Sequence, residues 1–190
     1  MTERRTLDDQ TAHDERPGPE LLRLLLDERD IARIVLQYAH GVDRGDVDLV
    51  ASCYHPGAYD DHGYASGTVE EFTAALRKRP SGQGVSQHLI GNVLIDVRGG
   101  SAVSEAYFLC YMEGLGGSRA IAPISMFGGR YVDRLEKRNG AWRILRRICV
   151  IDWSRELGDA PPAPRADTFG RGYRDDRDPA VVALRELGAH

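Results

Sequence analysis

Two distant stretches of this chain hold residues able to move protons. In Ile31 to Asp43, IARIVLQYAHGVD, the residues Tyr38, His40 and Asp43 end a run in which Ile31, Ile34, Val35, Tyr38 and Val42 recur at helical spacing. Far along the chain His88 opens the strand-like SQHLIGNVLIDV. An aspartate set against a histidine orients the ring and stabilises the imidazolium, which makes it a useful base near neutral pH. Asp43 ends an apolar helix face, where a carboxylate is costly unless it is paired. Two plainer readings stand beside the pair. His88 also fits a satisfied core histidine, and Asp43, followed by Arg44-Gly45-Asp46, also fits a helix terminus in solvent.

Other side chains offer weaker chemistry. Arg147 shares a strand face with Leu145, Cys149 and Ile151, so its guanidinium needs a carboxylate or a ligand anion. Arg146 alternates to the other face, and parity alone does not choose between the two. Glu105 and Tyr107 share one face of an earlier strand and are candidate substrate contacts, as are Tyr59 and His62. Tyr38 fits a core aromatic whose hydroxyl requires a partner when buried. The run Tyr59-Asp60-Asp61-His62 is rich in ligand types, but consecutive residues of an extended chain alternate sides, and no further His or Cys pair supports a metal site. Gly114, Gly116 and Gly117 lack the strand–loop–helix context of a phosphate loop. No cofactor is expected.

These residues need a frame to position them. The leucine run Leu21 to Leu26 fits either a first helical turn or a hydrophobic lead-in, and Asp27-Glu28-Arg29-Asp30 then reads as a helix start, with Gly41 and Gly45 closing that helix. Asp46 suits the cap of a short second helix, Val47 to Cys53, stopped by His55-Pro56-Gly57. Tyr59 to Gly63 reads as a short strand or turn. Thr68-Val69-Glu70-Glu71 is a capping box opening a third helix to about Arg79, ended by Pro80-Ser81-Gly82. The period then changes. Strands are expected over Gln87–Val97, Ala102–Glu113, Pro123–Lys137 and Ala141–Trp153, the last two joined at Asn139-Gly140, a type I′ hairpin pair. Helices followed by sequential antiparallel strands mean an α+β fold. In the first strand Leu89, Val93 and Ile95 are expected on one face and Ile90 and Leu94 on the other.

At 190 residues the chain fits one domain over 19–156, with a flexible arm over 1–18 and a tail over 157–190 that carries a weak amphipathic run, Ala180 to Leu187. The net charge of −4 offers no basic footprint for nucleic acid or an anionic membrane. Cys53, Cys110 and Cys149 are irregularly spaced among apolar neighbours, which suits reduced buried thiols. MTERRTLDDQ lacks the apolar core of a signal peptide, and no run is long enough to span a bilayer. A cytoplasmic location is expected.

The segments DIARIVLQYAHGVDRGDVDLVASCYHPGAYDDHGYASGTVEEF, SQHLIGNVLIDV and GGRYVDRLEKRNGAWRILRRICVIDWSR resemble the SnoaL-like proteins of the nuclear-transport-factor-2-like superfamily. That resemblance spans about residues 25–156. It implies a cone: a strongly curved antiparallel sheet, cystatin-like, wrapped around N-terminal helices with the ligand in its mouth. It further implies a homodimer or homotrimer built on the outer sheet face. By resemblance to the dehydratase-like members, Asp43 pairs with His88, Tyr38 takes the position five residues before the aspartate, and Arg147 takes that of the final-strand arginine. Where scytalone dehydratase has a second histidine on the next strand, this chain has none between His88 and His190, and Tyr107 or Glu105 occupies that region. The implied activity is a cofactor-free lyase, a dehydratase working by β-elimination on a small hydrophobic substrate of polycyclic, steroid-like or polyketide-like type. Alternatives are a polyketide cyclase or isomerase using the same pair, and a non-catalytic ligand-binding module.

Overall fold

The first helix is longer than the sequence pattern implies. In a computed structural model, which describes residues 18–63, 65–78, 85–113, 124–157, 173 and 175–188, helix α1 (Gly18–Arg44) runs unbroken. The acidic run expected to open it lies in its middle. Asp27 is buried and accepts hydrogen bonds from Trp142 Nε1 (2.8 Å) and Lys137 Nζ (2.7 Å). Its carboxylate serves a distant hairpin rather than a helix dipole. Burial works to raise its pKa, and those two donors outweigh the effect and hold it below the ordinary value.

Gly41 is also inside α1. A Cβ there would lie 2.9 Å from Val50 Cγ2, so the missing side chain is what lets α2 (Val47–Ser52) approach. The helix stops at Gly45, whose φ of +69° is the left-handed conformation that glycine adopts without cost. Asp46 then caps α2, accepting from the Leu49 amide at 2.9 Å.

The remaining elements are β1 (Tyr54–Asp61), β2 (Ser66–Thr68), α3 (Val69–Arg77), β3 (Ser86–Arg98), β4 (Ser101–Glu113), β5 (Ile124–Arg138), β6 (Ala141–Leu157) and α4 (Pro179–Gly188). The strands form one curved sheet in the order β2-β1-β6-β5-β4-β3. Strands β3 to β6 are antiparallel neighbours, as expected. The first strand departs from that expectation: β1 pairs parallel with β6, placing Asp60 opposite Arg147. His55-Pro56-Gly57, expected as a stop, lies within β1. The register between β1 and β6 shifts across this stretch, and Gly57 has φ of +71°. An irregular ladder is where a strand tolerates proline and a positive φ.

A second irregularity decides which residues of β3 face inward. Asn92 has φ of +47°, and the β3–β4 register shifts between Gly91 and Leu94. The bulge reverses the side-chain alternation. Ile90 packs against the core before it, and Val93, Ile95 and Val97 do so after it. Leu89 and Leu94, expected on opposite faces, are both turned outward, each 63% exposed.

Local signals fared well elsewhere. The Thr68–Glu71 capping box is complete, and Asn139 (φ +52°) and Gly140 (φ +81°) turn the β5–β6 hairpin. The buried core joins Ile31, Val35 and Tyr38 of α1 to Ala106 and Phe108 of β4, Tyr131 and Leu135 of β5, and Ile144 of β6. The amphipathic tail run falls within α4. Asp178 caps it, accepting from the Ala180 amide at 3.0 Å, and also accepts from Arg44 Nη1 at 3.1 Å, which ties the tail to the end of α1. Residues 1–17 of the expected arm, the Pro80-Ser81-Gly82 stop and the glycines at 114–117 lie outside the described residues. Among the described residues no helix is long and apolar enough to cross a membrane.

Candidate functional site

Asp43, in the last turn of α1, meets His88 near the start of β3. One carboxylate oxygen accepts from His88 Nδ1 at 2.6 Å and the other from the His88 backbone amide at 2.8 Å. The carboxylate therefore holds both the ring and the strand that carries it. Both side chains are largely buried. Burial works to raise the Asp43 pKa, but the ring, charge and amide of His88, with the Ser86 hydroxyl, outweigh it and keep the carboxyl below 3.8. With Nδ1 donating to this carboxylate, the neutral ring keeps its lone pair on Nε2.

A second carboxylate–histidine pair lies on the same inner side of the sheet. Asp60 is fully buried on β1, and His62 follows two residues later, on the same side of the extended chain. His62 Nδ1 donates to Asp60 Oδ1, and the Tyr54 hydroxyl donates to Asp60 Oδ2. His62 Nε2 lies 3.0 Å from the Tyr38 hydroxyl. The chain Asp60–His62–Tyr38 is thus continuous from a buried carboxylate to a phenol of α1. Phe72 of α3 stacks on His62 with ring centroids 4.9 Å apart.

Arg147 anchors this end of the interior. Its side chain is 0% exposed and donates through Nε and Nη2 to the two Asp133 oxygens at 2.7 and 2.6 Å. Its guanidinium carbon lies 3.9 Å from the Tyr38 ring centroid and 4.2 Å from that of Tyr131. Burial opposes the charge, but the Asp133 carboxylate outweighs it and holds Arg147 firmly protonated. Its Nη1 has no hydrogen-bond partner among the described residues. The two histidines are linked by aromatic rings. Phe108 lies 6.3 Å from His88 and stacks on Tyr131 at 4.5 Å, and Tyr131 lies 5.5 Å from Tyr38 and 6.0 Å from His62.

The structure thus brings together Tyr38, Asp43, His62, His88 and Arg147. It sets the other three candidates elsewhere. Ala106 and Phe108 point into the core, so Glu105 and Tyr107 face the opposite side of β4, where Arg130 bonds Glu105 at 3.3 Å and sits 6.0 Å from the Tyr107 ring. Tyr59 likewise faces away from Asp60 and lies under Arg146, at 5.4 Å. Leu89, Leu94, Val103, Tyr107 and Trp153 give that outer side an exposed apolar character.

Sequence reasoning missed Asp60, Tyr54, Tyr131 and Asp133. A signal for the first was present: residues two apart on a strand share a face, and Asp60-Asp61-His62 has that spacing. Among the described residues no group of three or more His, Cys, Asp or Glu is placed to hold a metal ion. The three cysteines are unbridged thiols, and burial pushes Cys53 up to about 11 and Cys149 up to about 12.

Residues 23–148 match the model of the SnoaL-like domain. The chain belongs to the SnoaL-like family. Solved structures with the same fold include a putative scytalone dehydratase from Novosphingobium aromaticivorans, 19% identical, with a TM-score of 0.60 over 75% of this chain and 96% of that one. A type 2 hexachlorocyclohexane dehydrochlorinase is 17% identical, with a TM-score of 0.66 over 76% and 98%. A protein from N. aromaticivorans described as NTF2-like with a cystatin-like fold is 18% identical, with a TM-score of 0.56 over 74% and 92%. No curated protein matches the chain. At these identities the likeness establishes the cystatin-like, NTF2-like fold of this SnoaL-like protein and leaves its chemistry to its own residues.

Proposed function

We propose that this SnoaL-like protein is a cofactor-free lyase that dehydrates a small hydrophobic substrate by β-elimination. One observation carries the reading: Asp43 grips the His88 ring and backbone together and leaves Nε2 as the proton acceptor. His88 takes the proton next to a substrate carbonyl, and Asp43 stabilises the imidazolium that forms. Tyr38, polarised by the Arg147 guanidinium stacked on its ring, hydrogen-bonds the departing hydroxyl. The aromatic link through Phe108 and Tyr131 supports a flat, polycyclic substrate of steroid-like or polyketide-like type. A correctly placed base of this kind contributes about 10²- to 10⁴-fold. Positioning in a water-poor interior supplies the rest.

Mass-spectrometric turnover of β-hydroxy-carbonyl steroids and aromatic polyketides tests the reading, with His88→Ala beside the wild type. Loss of one water that disappears in the variant is the expected result. Product of unchanged mass and shifted retention replaces elimination with isomerisation or cyclisation. Saturable binding without turnover in either protein makes the domain a ligand-binding module.

A further inference from the structure

The base is only half of an elimination. Hydroxide is a poor leaving group, and the carbon–oxygen bond breaks readily only if its oxygen is protonated as it departs. When the C–O bond breaks while His88 Nε2 is still taking the carbon proton, that nitrogen has none to give, and the leaving oxygen draws its proton from a second group. The interior contains another assembly whose connectivity fits that task.

We propose that Asp60–His62 is a separate proton-supplying relay that acts on the leaving oxygen through the Tyr38 hydroxyl, a role that rests on the lyase reading above. His62 does not have to touch substrate. It is a positioning and relay residue, and Tyr38 is the group that meets the reacting atom. When His62 is protonated both ring nitrogens donate, Nδ1 to Asp60 and Nε2 to the Tyr38 oxygen 3.0 Å away. The phenol hydrogen is then turned away from His62 and toward the substrate. Asp60, fully buried and held by the Tyr54 hydroxyl, balances the charge on the ring.

The electrons balance without any outside oxidant or reductant. His88 Nε2 takes the proton on the carbon next to the carbonyl. The electron pair of that C–H bond becomes the new C=C bond, and the C–O bond breaks with its pair on oxygen. The Tyr38 hydroxyl protonates that oxygen, releasing water, and His62 Nε2–H reprotonates the Tyr38 oxygen. His88 ends protonated and His62 neutral, and proton exchange with solvent restores both.

Asp60 and Asp61 flank His62 on β1, and the Asp61 carboxyl is already engaged by the Ser66 hydroxyl at 2.6 Å and the Gly63 amide at 3.1 Å. Tyr38 faces it from α1 and Tyr131 from β5, and the apolar ring of Phe72 stacks on it from α3. The charge of Arg147 reaches it from β6 through Tyr38 and is neutralised by Asp133. Asp60, bonded directly to Nδ1, is the carboxylate that orients the ring.

The test compares two leaving groups on one scaffold. The probes are the β-hydroxy ketone formed from naphthaldehyde and acetone, and its acetate ester, whose carboxylate departs without being protonated. Formation of the conjugated enone is followed by absorbance for wild type, His62→Gln, Asp60→Asn and Tyr38→Phe. His62→Gln is expected to slow the hydroxy ketone by about 10²- to 10⁴-fold in kcat, with KM little changed, and the acetate by less than about three-fold. Tyr38→Phe gives the same pattern, and the double variant adds nothing to it, as residues acting as one unit do. The ratio of the two rates is read within one protein, so partial misfolding does not alter it. Equal losses on both probes, with the wild type active, overturn the relay while the lyase stands. A wild type inactive on both overturns the lyase reading and the relay with it.

Discussion

The two carboxylate–histidine pairs of this interior use the same atoms but are built in opposite ways. Asp43–His88 joins the end of a helix to the start of a strand across 45 residues, and a single carboxylate ties ring and backbone together. Asp60–His62 is local, two residues apart at the end of β1, and gains its reach only because Tyr38 arrives from α1. The first pair depends on the tertiary fold for its existence. The second depends on it only for its connection to Tyr38. A histidine held at one nitrogen and open at the other suits a base, whereas one engaged at both nitrogens suits a relay.

The strongest way to break this contrast is His88→Ala. If His88 is the base, turnover of the hydroxy ketone and of its acetate should both fall by about 10²- to 10⁴-fold in kcat. His62→Gln spares the acetate, and steady-state kinetics on the two probes separates the variants. If His88→Ala spares either probe, the assignment of the base is wrong.

Next in size is Arg147→Met, which leaves Asp133 buried and charged without its partner. Removing one member of such a pair costs about 3–5 kcal/mol, and denaturant unfolding measures it. Replacing Asp133 as well, with Leu, should recover much of the loss. That result would show that the Tyr38 end needs balanced charge rather than charge itself.

Asp43→Asn sharpens the comparison through pH. The Asp43 carboxyl is held below 3.8 in the folded chain, so the pair stabilises fully above the unfolded value, and that contribution is lost as pH falls through the depressed folded one. The wild type should exceed the variant in stability by about 1.5–3 kcal/mol at neutral pH, on the scale of hydrogen bonds to a charged group. The difference should shrink as the pH falls through the depressed folded value. Thermal melts at several pH values measure it, and a gap that persists in acid removes the charge from the explanation. The smallest effect belongs to Thr68→Ala, which breaks the capping box of α3 at a cost of about 1 kcal/mol. Because Phe72 of α3 stacks on His62 and not on His88, the ring signals of His62 should shift in NMR spectra while those of His88 stay in place.

Much of the fold was legible where a local rule is strong. The Thr68–Glu71 box, the Asn139-Gly140 turn, the Asp46 cap and the four long strands each announce themselves within a few residues. Asp27 misled because an acid beside other acids resembles a helix start, while its partners Trp142 and Lys137 lie more than a hundred positions away. Asn92 misled because one residue with a positive φ reverses the alternation for the rest of β3. Glu105 and Tyr107 were reasonable candidates by residue type, but their parity on β4 turns them outward.

By itself the sequence determined the α+β order, the helix and hairpin ends, and the presence of an aspartate and a histidine at the positions that the SnoaL-like resemblance marks. These depend on backbone preferences and hydrophobic periodicity, which act over a few residues. Only the tertiary structure decided that β1 lies beside β6, that Arg147 is matched by Asp133 and roofed by Tyr38 and Tyr131, and that His62 reaches Tyr38. Those contacts join residues far apart in the chain. Whether a buried charge or hydroxyl is stabilised depends on which partner the curved sheet brings within hydrogen-bonding distance.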